Sequence, residues 1–377
     1  MFYRDTWVEV DLDRIAHNVS HIKEHSGYEH LFAVVKANAY GHGDVEVARA
    51  ALDAGATHLA VAFLDEALSL RLAIKDVPIL VMGPVRVEDI SLAAEHKIHI
   101  TVHDMDWIMQ AAHYRGPTVN VHLKMDSGMH RIGLTSAATL ALANSTLREH
   151  KHINLVGLFT HFATADSYKD YYSQQLKNVA EMTAGLDLNT FEYVHQSNSA
   201  ALLYQTPQPN ANCARLGIAM YGLAPNNEMS SPVSLKQAFS LHSRITQVKS
   251  ILAGDKVGYG ATFEANAPMK IAVIPIGYAD GWLRYHQNRS VSIKGKLYPI
   301  VGRICMDQSM ILIDETITTG DQVDLINDQC TVDMAAKDLQ TINYEIVCSI
   351  SDRVPRRYLQ GGVTVSERND RFRHLSI

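Results

Sequence analysis

The sequence predicts an α/β protein, an N-terminal (β/α)8 TIM-type barrel followed by a mostly-β domain. Two observations carry this. Up to about residue 218, short β-branched runs alternate with longer amphipathic stretches; beyond the turn-rich segment 225–232 the period changes to closely spaced strands. The length, 377 residues, suits one large and one smaller domain. The division is expected at 10–232 for the barrel and 233–377, with 1–9, for the β-rich part.

The barrel strands are read at Leu31–Lys36, His58–Ala62, Pro78–Gly83, Ile98–Val102, Val119–Met125, Asn154–His161, Tyr193–Ser197 and Cys213–Ile218. They are rich in β-branched residues and bounded by polar or Gly residues, as buried parallel strands are. Asp44–Ala54, Asp65–Ile74, Val87–Glu95 and Lys169–Ala184 read as connecting helices. In the second part Leu241–Ile251, Lys270–Ile276, Ser290–Ile293, Tyr298–Ile304, Met310–Asp314 and Gln322–Ile326 read as strands. The alternating Thr6–Asp11 is placed to join their sheet.

Composition removes several function classes. Hydrophobic residues make up 47% and the formal net charge is −6, so a large core forms and nucleic acid or an anionic membrane is a poor partner. The chain opens without an apolar leader and holds no run near the roughly 18 apolar residues of a membrane span. Cys213, Cys305, Cys330 and Cys348 form no CxxC pair, which suits reduced thiols and a cytoplasmic location. His17, His21 and His25 recur every fourth residue, but they fall opposite the stripe of Leu12, Ile15, Val19 and Ile22. That marks a solvated face, and no metal is expected.

Barrel enzymes place their chemistry at the C-terminal ends of the strands. Lys36 ends the first apolar run, before Asn38, Tyr40, Gly41 and Gly43; a desolvated lysine is a nucleophilic amine suited to a carbonyl. Lys124-Met125-Asp126-Ser127-Gly128-Met129-His130-Arg131 follows the fifth run, and Arg131 offers a planar fork to an anion. His161 follows the sixth, where a satisfied core histidine is an equal reading. Ser199 follows the seventh, and Arg215-Leu216-Gly217-Ile218 the eighth, the usual phosphate site of such barrels. Dinucleotide and Walker motifs are absent. Together these ask for a ligand with a carbonyl for a lysine, a phosphate and a ring beside an arginine, and pyridoxal 5′-phosphate fits all three.

These motifs, with Val257–Phe263, Gly277–Trp282, Gly302–Asp307 and Asn343–Arg356, resemble bacterial alanine racemase over essentially the whole chain. The resemblance implies a pyridoxal-phosphate enzyme that interconverts L- and D-alanine by two bases and supplies D-amino acid for peptidoglycan. It implies a cytoplasmic homodimer with shared sites. Lys36 would carry the cofactor and serve as one base, and Tyr259 from the partner chain would be the other. Tyr40, Ser199, Gly217 and Ile218 would hold the phosphate, Arg215 the pyridine nitrogen with His161 behind it, and Arg131 the phenolic oxygen and substrate carboxylate. Met306 would offer its N–H to that carboxylate. Lys124 matches a lysine carbamylated in some members, and Tyr278, Arg284, Arg303 and Ile350 resemble entrance residues.

One departure stands out. Asp352 occupies a place where the family commonly has tyrosine. Beside a phosphate an aspartate would cost about 1–4 kcal/mol, and the vacated space suggests an alternative with substantial or preferred serine activity. The other reading turns Asp352 outward, to Arg356 or solvent. Ser127, where threonine is common, keeps the hydroxyl. Two other pyridoxal-phosphate readings are weaker. A basic amino-acid decarboxylase would use cysteine in place of Tyr259 and a carboxylate in place of Arg215. A single-barrel cofactor carrier would lack residues 233–377.

Overall fold

The computed structural model describes residues 3–167 and 170–372. Lys169, expected to begin a helix, lies outside them. Two compact units result, one of residues 15–39 and 44–236, the other of residues 1–14, 40–43 and 237–377.

The first unit is a closed parallel barrel of eight strands: His30–Val34, His58–Val61, Ile79–Pro84, Ile98–Val102, Val119–Lys124, Ile153–Phe159, Tyr193–His195 and Cys213–Leu216. Each expected apolar run supplies one strand. The eighth strand pairs back on the first, Phe32 opposite Arg215, which closes the ring. Helices Asp44–Asp53, Leu64–Ala73, Ala137–Glu149 and Tyr171–Thr183 pack outside. The stretch read as one helix at Val87–Glu95 is a 3-10 turn, Val87–Asp89, running into helix Ile90–Glu95. Helix Leu12–Ser26 buries Ile15, Val19 and Ile22 and leaves His21 and His25 exposed, as the stripe requires.

The second unit is built on a sheet that, among the described residues, has ten strands. Their order is Gln247–Ile251, Met269–Ile274, Ser309–Ile313, Lys296–Val301, Ser290–Ile293, Gln322–Ile326, Phe239–Arg244, Thr6–Asp11, Arg356–Gln360 and Val363–Arg368. Thr6–Asp11 lies inside this sheet, antiparallel to Phe239–Arg244 and parallel to Arg356–Gln360. The run expected as one strand at Leu241–Ile251 is two strands. The chain changes partners at Ile245 and Thr246, whose N–H groups donate to Asp321 O (3.0 Å) and Val273 O (2.9 Å).

The turn Tyr40–Gly43 packs with this β-rich unit for a steric reason. A Cβ on Gly41 would lie 2.3 Å from the Val347 carbonyl oxygen, and one on Gly43 would lie 1.8 Å from Tyr358 Oη. Arg356 Nε donates to the Gly41 carbonyl at 3.1 Å.

Candidate active site

In the barrel unit the expected residues collect at the C-terminal strand ends. Lys36 stands two residues past the first strand, where the backbone turns left-handed: Ala37, Asn38, Ala39 and Tyr40 all have φ between 52° and 53°. Such a conformation costs L-residues about 1–2 kcal/mol each, so surrounding bonds must hold it. Ala39 N–H donates to Val35 O (2.9 Å), Asn38 Oδ1 accepts from Asp44 N–H (3.1 Å), and Glu66 Oε1 accepts from Ala37 N–H (2.7 Å). The other oxygen of Glu66 takes the Ala62 and Phe63 N–H groups. One carboxylate thus ties the lysine turn to the loop after the second strand. Sequence reasoning missed Glu66, because a glutamate in the first turn of an amphipathic helix looks like ordinary N-terminal charge.

Lys124 ends the fifth strand and is 4% exposed, its ammonium 4.7 Å from the Phe159 ring centroid. Burial, with Arg215 and Arg131 adding, pushes its pKa down to about 7. Asp126 shapes the loop that follows. Its oxygens accept the N–H groups of Gly128 (2.9 Å), His130 (3.0 Å) and Arg131 (3.0 Å). Those bonds outweigh its desolvation and hold the carboxyl below the ordinary range. Ser127 Oγ shares a hydrogen bond with Thr160 Oγ1 at 2.8 Å.

Arg215 is buried in the eighth strand with no carboxylate partner among the described residues. Nη1 donates to His195 Nδ1 (2.8 Å) and His195 O (3.0 Å); Nη2 donates to Thr160 O (2.8 Å) and Gln196 O (3.2 Å) and lies 3.3 Å from His161 Nδ1. Among the described residues its Nε–H has no acceptor. Burial lowers the guanidinium pKa to about 10, which leaves it charged near neutrality. His161 is held well below the usual imidazole range, first by burial and then by Arg215, Lys124, Arg131 and Lys36. Those four expected cations therefore converge on one ring. Ser199, capped by Asn198, is buried, and its Oγ accepts the N–H of Gly217 at 2.8 Å and of Ala219 at 3.4 Å. Gly217 leads directly into the short turn Ile218–Tyr221.

The remaining expected residues belong to the β-rich unit. Tyr259 is 72% exposed on a tight turn between Gly258 (φ 74°) and Gly260 (φ 72°). A Cβ on Gly260 would lie 2.7 Å from Arg303 Nη1, so Arg303 packs beneath the tyrosine turn. Met306 is 53% exposed, and its carbonyl accepts Ala279 N–H at 3.0 Å. Tyr40 is buried, its ring centroid 6.0 Å from that of Tyr344; burial raises its phenol pKa. Asp280 and Arg356, unremarked in the sequence, knit the motifs around Tyr278, Arg284 and Ile350 together. Asp280 binds Arg4, Arg353 and Gly277 N–H; Arg356 donates to the carbonyls of Ile350, Ser351 and Val354.

Asp352 follows the outward of its two readings. Its side chain is 55% exposed, and its oxygen accepts from Arg371 Nη2 at 3.2 Å. Arg371 rather than Arg356 is the partner, and this outward carboxylate lends the serine alternative no support.

The same chain matches the N-terminal alanine racemase domain over residues 10–225 and the C-terminal one over residues 238–358. The chain belongs to the alanine racemase family. It is 49% identical to alanine racemase from Anoxybacillus flavithermus and 48% identical to that from Geobacillus stearothermophilus, covering 98% of this chain and 97–98% of each relative. The structure of alanine racemase from Bacillus anthracis with bound L-Ala-P superposes with a TM-score of 0.92 at 43% identity, covering 98% of both chains. A histidine racemase from Leuconostoc mesenteroides superposes with a TM-score of 0.90 at 31% identity, covering 96% of this chain and 99% of that one. As a member of this family the protein is a pyridoxal-phosphate-dependent racemase, an isomerase. No helix among the described residues is long and apolar enough to cross a membrane.

Proposed function

We propose that the protein interconverts L- and D-alanine with pyridoxal 5′-phosphate, by two bases, as a cytoplasmic homodimer with shared sites. The observation that carries the reading is the convergence of Lys36, Lys124, Arg131 and Arg215 on His161 at the catalytic end of the barrel. The carboxylates of Asp126 and Glu66 are taken up by backbone amides. Such a cationic end suits a ligand bearing phosphate and phenolate charge. Arg215 fits a ring nitrogen that stays unprotonated, since a guanidinium donates and does not accept.

In this reading Lys36 holds the cofactor covalently, and Ser199 Oγ with the N–H groups of Gly217 and Ile218 receives the phosphate, together with Tyr40. Arg215 faces the pyridine nitrogen, and Arg131 takes the phenolic oxygen and the substrate carboxylate, helped by Met306 N–H. When bound, pyridoxal phosphate supplies the electron sink that lets the α-proton leave. Lys36 Nζ takes or returns that proton on one face, and the partner subunit's Tyr259 does so on the other. Two bases invert the centre without turning the substrate. The exposure of Tyr259 and Met306 supports their use by a second chain. Lys124, with its pKa lowered to about 7, is in part an uncharged amine near neutrality, open to carbamylation by carbon dioxide; the resulting carbamate would hold Arg131.

The test is optical inversion of a panel of small amino acids by purified holoenzyme. Alanine should invert fastest, and Lys36→Ala should abolish both the inversion and the visible absorbance of bound cofactor. Cofactor-loaded protein that leaves L-alanine unchanged would overturn the reading.

A further inference from the structure

Beneath the site three imidazoles cross the barrel interior in a continuous hydrogen-bonded file. His195 Nε2 lies 2.9 Å from His122 Nδ1, and His122 Nε2 lies 3.1 Å from His99 Nδ1. All three rings are buried, on the seventh, fifth and fourth strands. The barrel makes room for them. A Cβ on Gly157, in the sixth strand, would lie 2.0 Å from His122 Nδ1, so only glycine there leaves that nitrogen within reach of His195. The rings are also clamped: Phe159 and Phe32 stack on His195 (centroids 4.6 and 5.0 Å), and Tyr193 stacks on His122 (5.6 Å).

Arg215 fixes the direction of every bond. A guanidinium has donors only, so His195 Nδ1, 2.8 Å from Nη1, must accept. The proton of neutral His195 is then on Nε2 and is given to His122 Nδ1. The same step forces Nε2–H on His122, donated to His99 Nδ1, and Nε2–H on His99. Asn120 Nδ2 lies 3.0 Å from His99 Nε2, which would set two donors face to face. The Asn120 amide therefore has to be turned over so that its oxygen accepts, an assignment that heavy-atom positions alone do not fix. Asn154, whose Nδ2 is 2.9 Å from Asn120 Oδ1, turns with it and ends the file at the exposed rim.

We infer that His195, His122 and His99 form a one-way file of neutral imidazoles, and that His195, backed by the other two, is the positioning residue that fixes the guanidinium of Arg215. With both Nη atoms occupied, the Nε–H is the donor left for a ligand. The file has no place for an additional proton. His195 faces Arg215, Lys124, His122 and His58; His122 faces Arg215, His99 and His58; His99 faces Arg71. These neighbours are cations or other imidazoles, and each opposes a positive charge on the file.

The functional half rests on the proposed role of Arg215, whereas the tautomers do not, and the test separates them. Imidazole nitrogen NMR on histidine-labelled protein, with and without cofactor, reads the proton position directly; signals are assigned by their loss in single His→Gln variants. Three Nε2–H rings that stay neutral between about pH 5 and 8 are expected in both forms. An Nδ1–H ring at His195, or titration of any of the three in that window, would overturn the file. His122→Phe keeps a stacking ring but removes the acceptor of His195. It should lower kcat about 10- to 100-fold, leave KM nearly unchanged and shift the visible band of bound cofactor. His122→Gln, which accepts and donates, should restore most of both. Equal behaviour of the two variants in folded protein, or an unmoved cofactor band, would overturn the positioning role even with the tautomers intact.

Discussion

In the β-rich unit Asp280 is fully buried and meets Arg4 Nη1 at 2.7 Å and Arg353 Nε at 3.4 Å, whereas in the barrel Arg215 is buried among neutral acceptors alone. Neutral acceptors do not by themselves mark function, because Arg356 of the β-rich unit is also buried among carbonyls. The difference is accumulation. Arg356 stands among structural turns, while Arg215 shares its surroundings with Lys124, Arg131 and Lys36. Like charge gathered in a buried place is costly to the fold, and it is what an anionic ligand needs. The paired charge at Asp280 belongs to architecture, whereas the charge gathered around Arg215 marks the proposed site.

Four substitutions probe this contrast. The largest effect is expected at the paired end. Asp280→Ala takes the carboxylate from Arg4 and leaves Arg353 to Asp307 alone, and should destabilise the protein by about 3 kcal/mol, read as a lower denaturant midpoint with unchanged slope. An unchanged midpoint would remove the distinction.

Next comes the gathered charge. The Lys124 pKa is lowered to about 7 in the fold, against an ordinary value of 10.5. Between those values the unfolded chain binds the extra proton, so stability rises with pH, by up to about 1.4 kcal/mol per pH unit. Below about pH 7 both states are protonated and the penalty is fully present. Lys124→Met should flatten this rise in carbonate-free buffer, and an identical pH profile would contradict it.

Ser199→Ala should weaken cofactor binding by about 10- to 100-fold, the worth of one hydrogen bond to a charged group, measured by equilibrium titration. The smallest effect is expected at Asp352. Its pair with Arg371 is exposed, so Asp352→Ala should change stability by less than about 0.5 kcal/mol and leave cofactor affinity as it was.

Legibility in the sequence followed the same division. The eight barrel strands were readable because strands covered on both faces are rich in β-branched residues, here in short runs bounded by polar or Gly residues. The break at Ile245–Thr246 was not, since a β-branched run contains no local signal that the chain changes sheet neighbours there. The last hairpin, Arg356–Gln360 with Val363–Arg368, was overlooked although Gly361-Gly362 is a strong turn signal. Its charged, half-exposed strands do not alternate cleanly. Lys36, Lys124, Arg131, Ser199 and Arg215 were each visible as polar residues at or just after the late part of an apolar run. The histidine file was invisible for a different reason. His99, His122 and His195 each look like a lone core histidine, and only the closed barrel brings three strands into one line.

The central claim, two bases from two chains at one carbon, is tested most directly by complementation. Lys36→Ala and Tyr259→Phe homodimers are purified separately, dissociated, mixed and reassociated, and alanine racemisation is followed. A hybrid dimer holds one site lacking both bases and one site with both intact. The account predicts that two inactive preparations regain racemase activity on mixing. A mixture that forms hybrid dimers and remains inactive would contradict it.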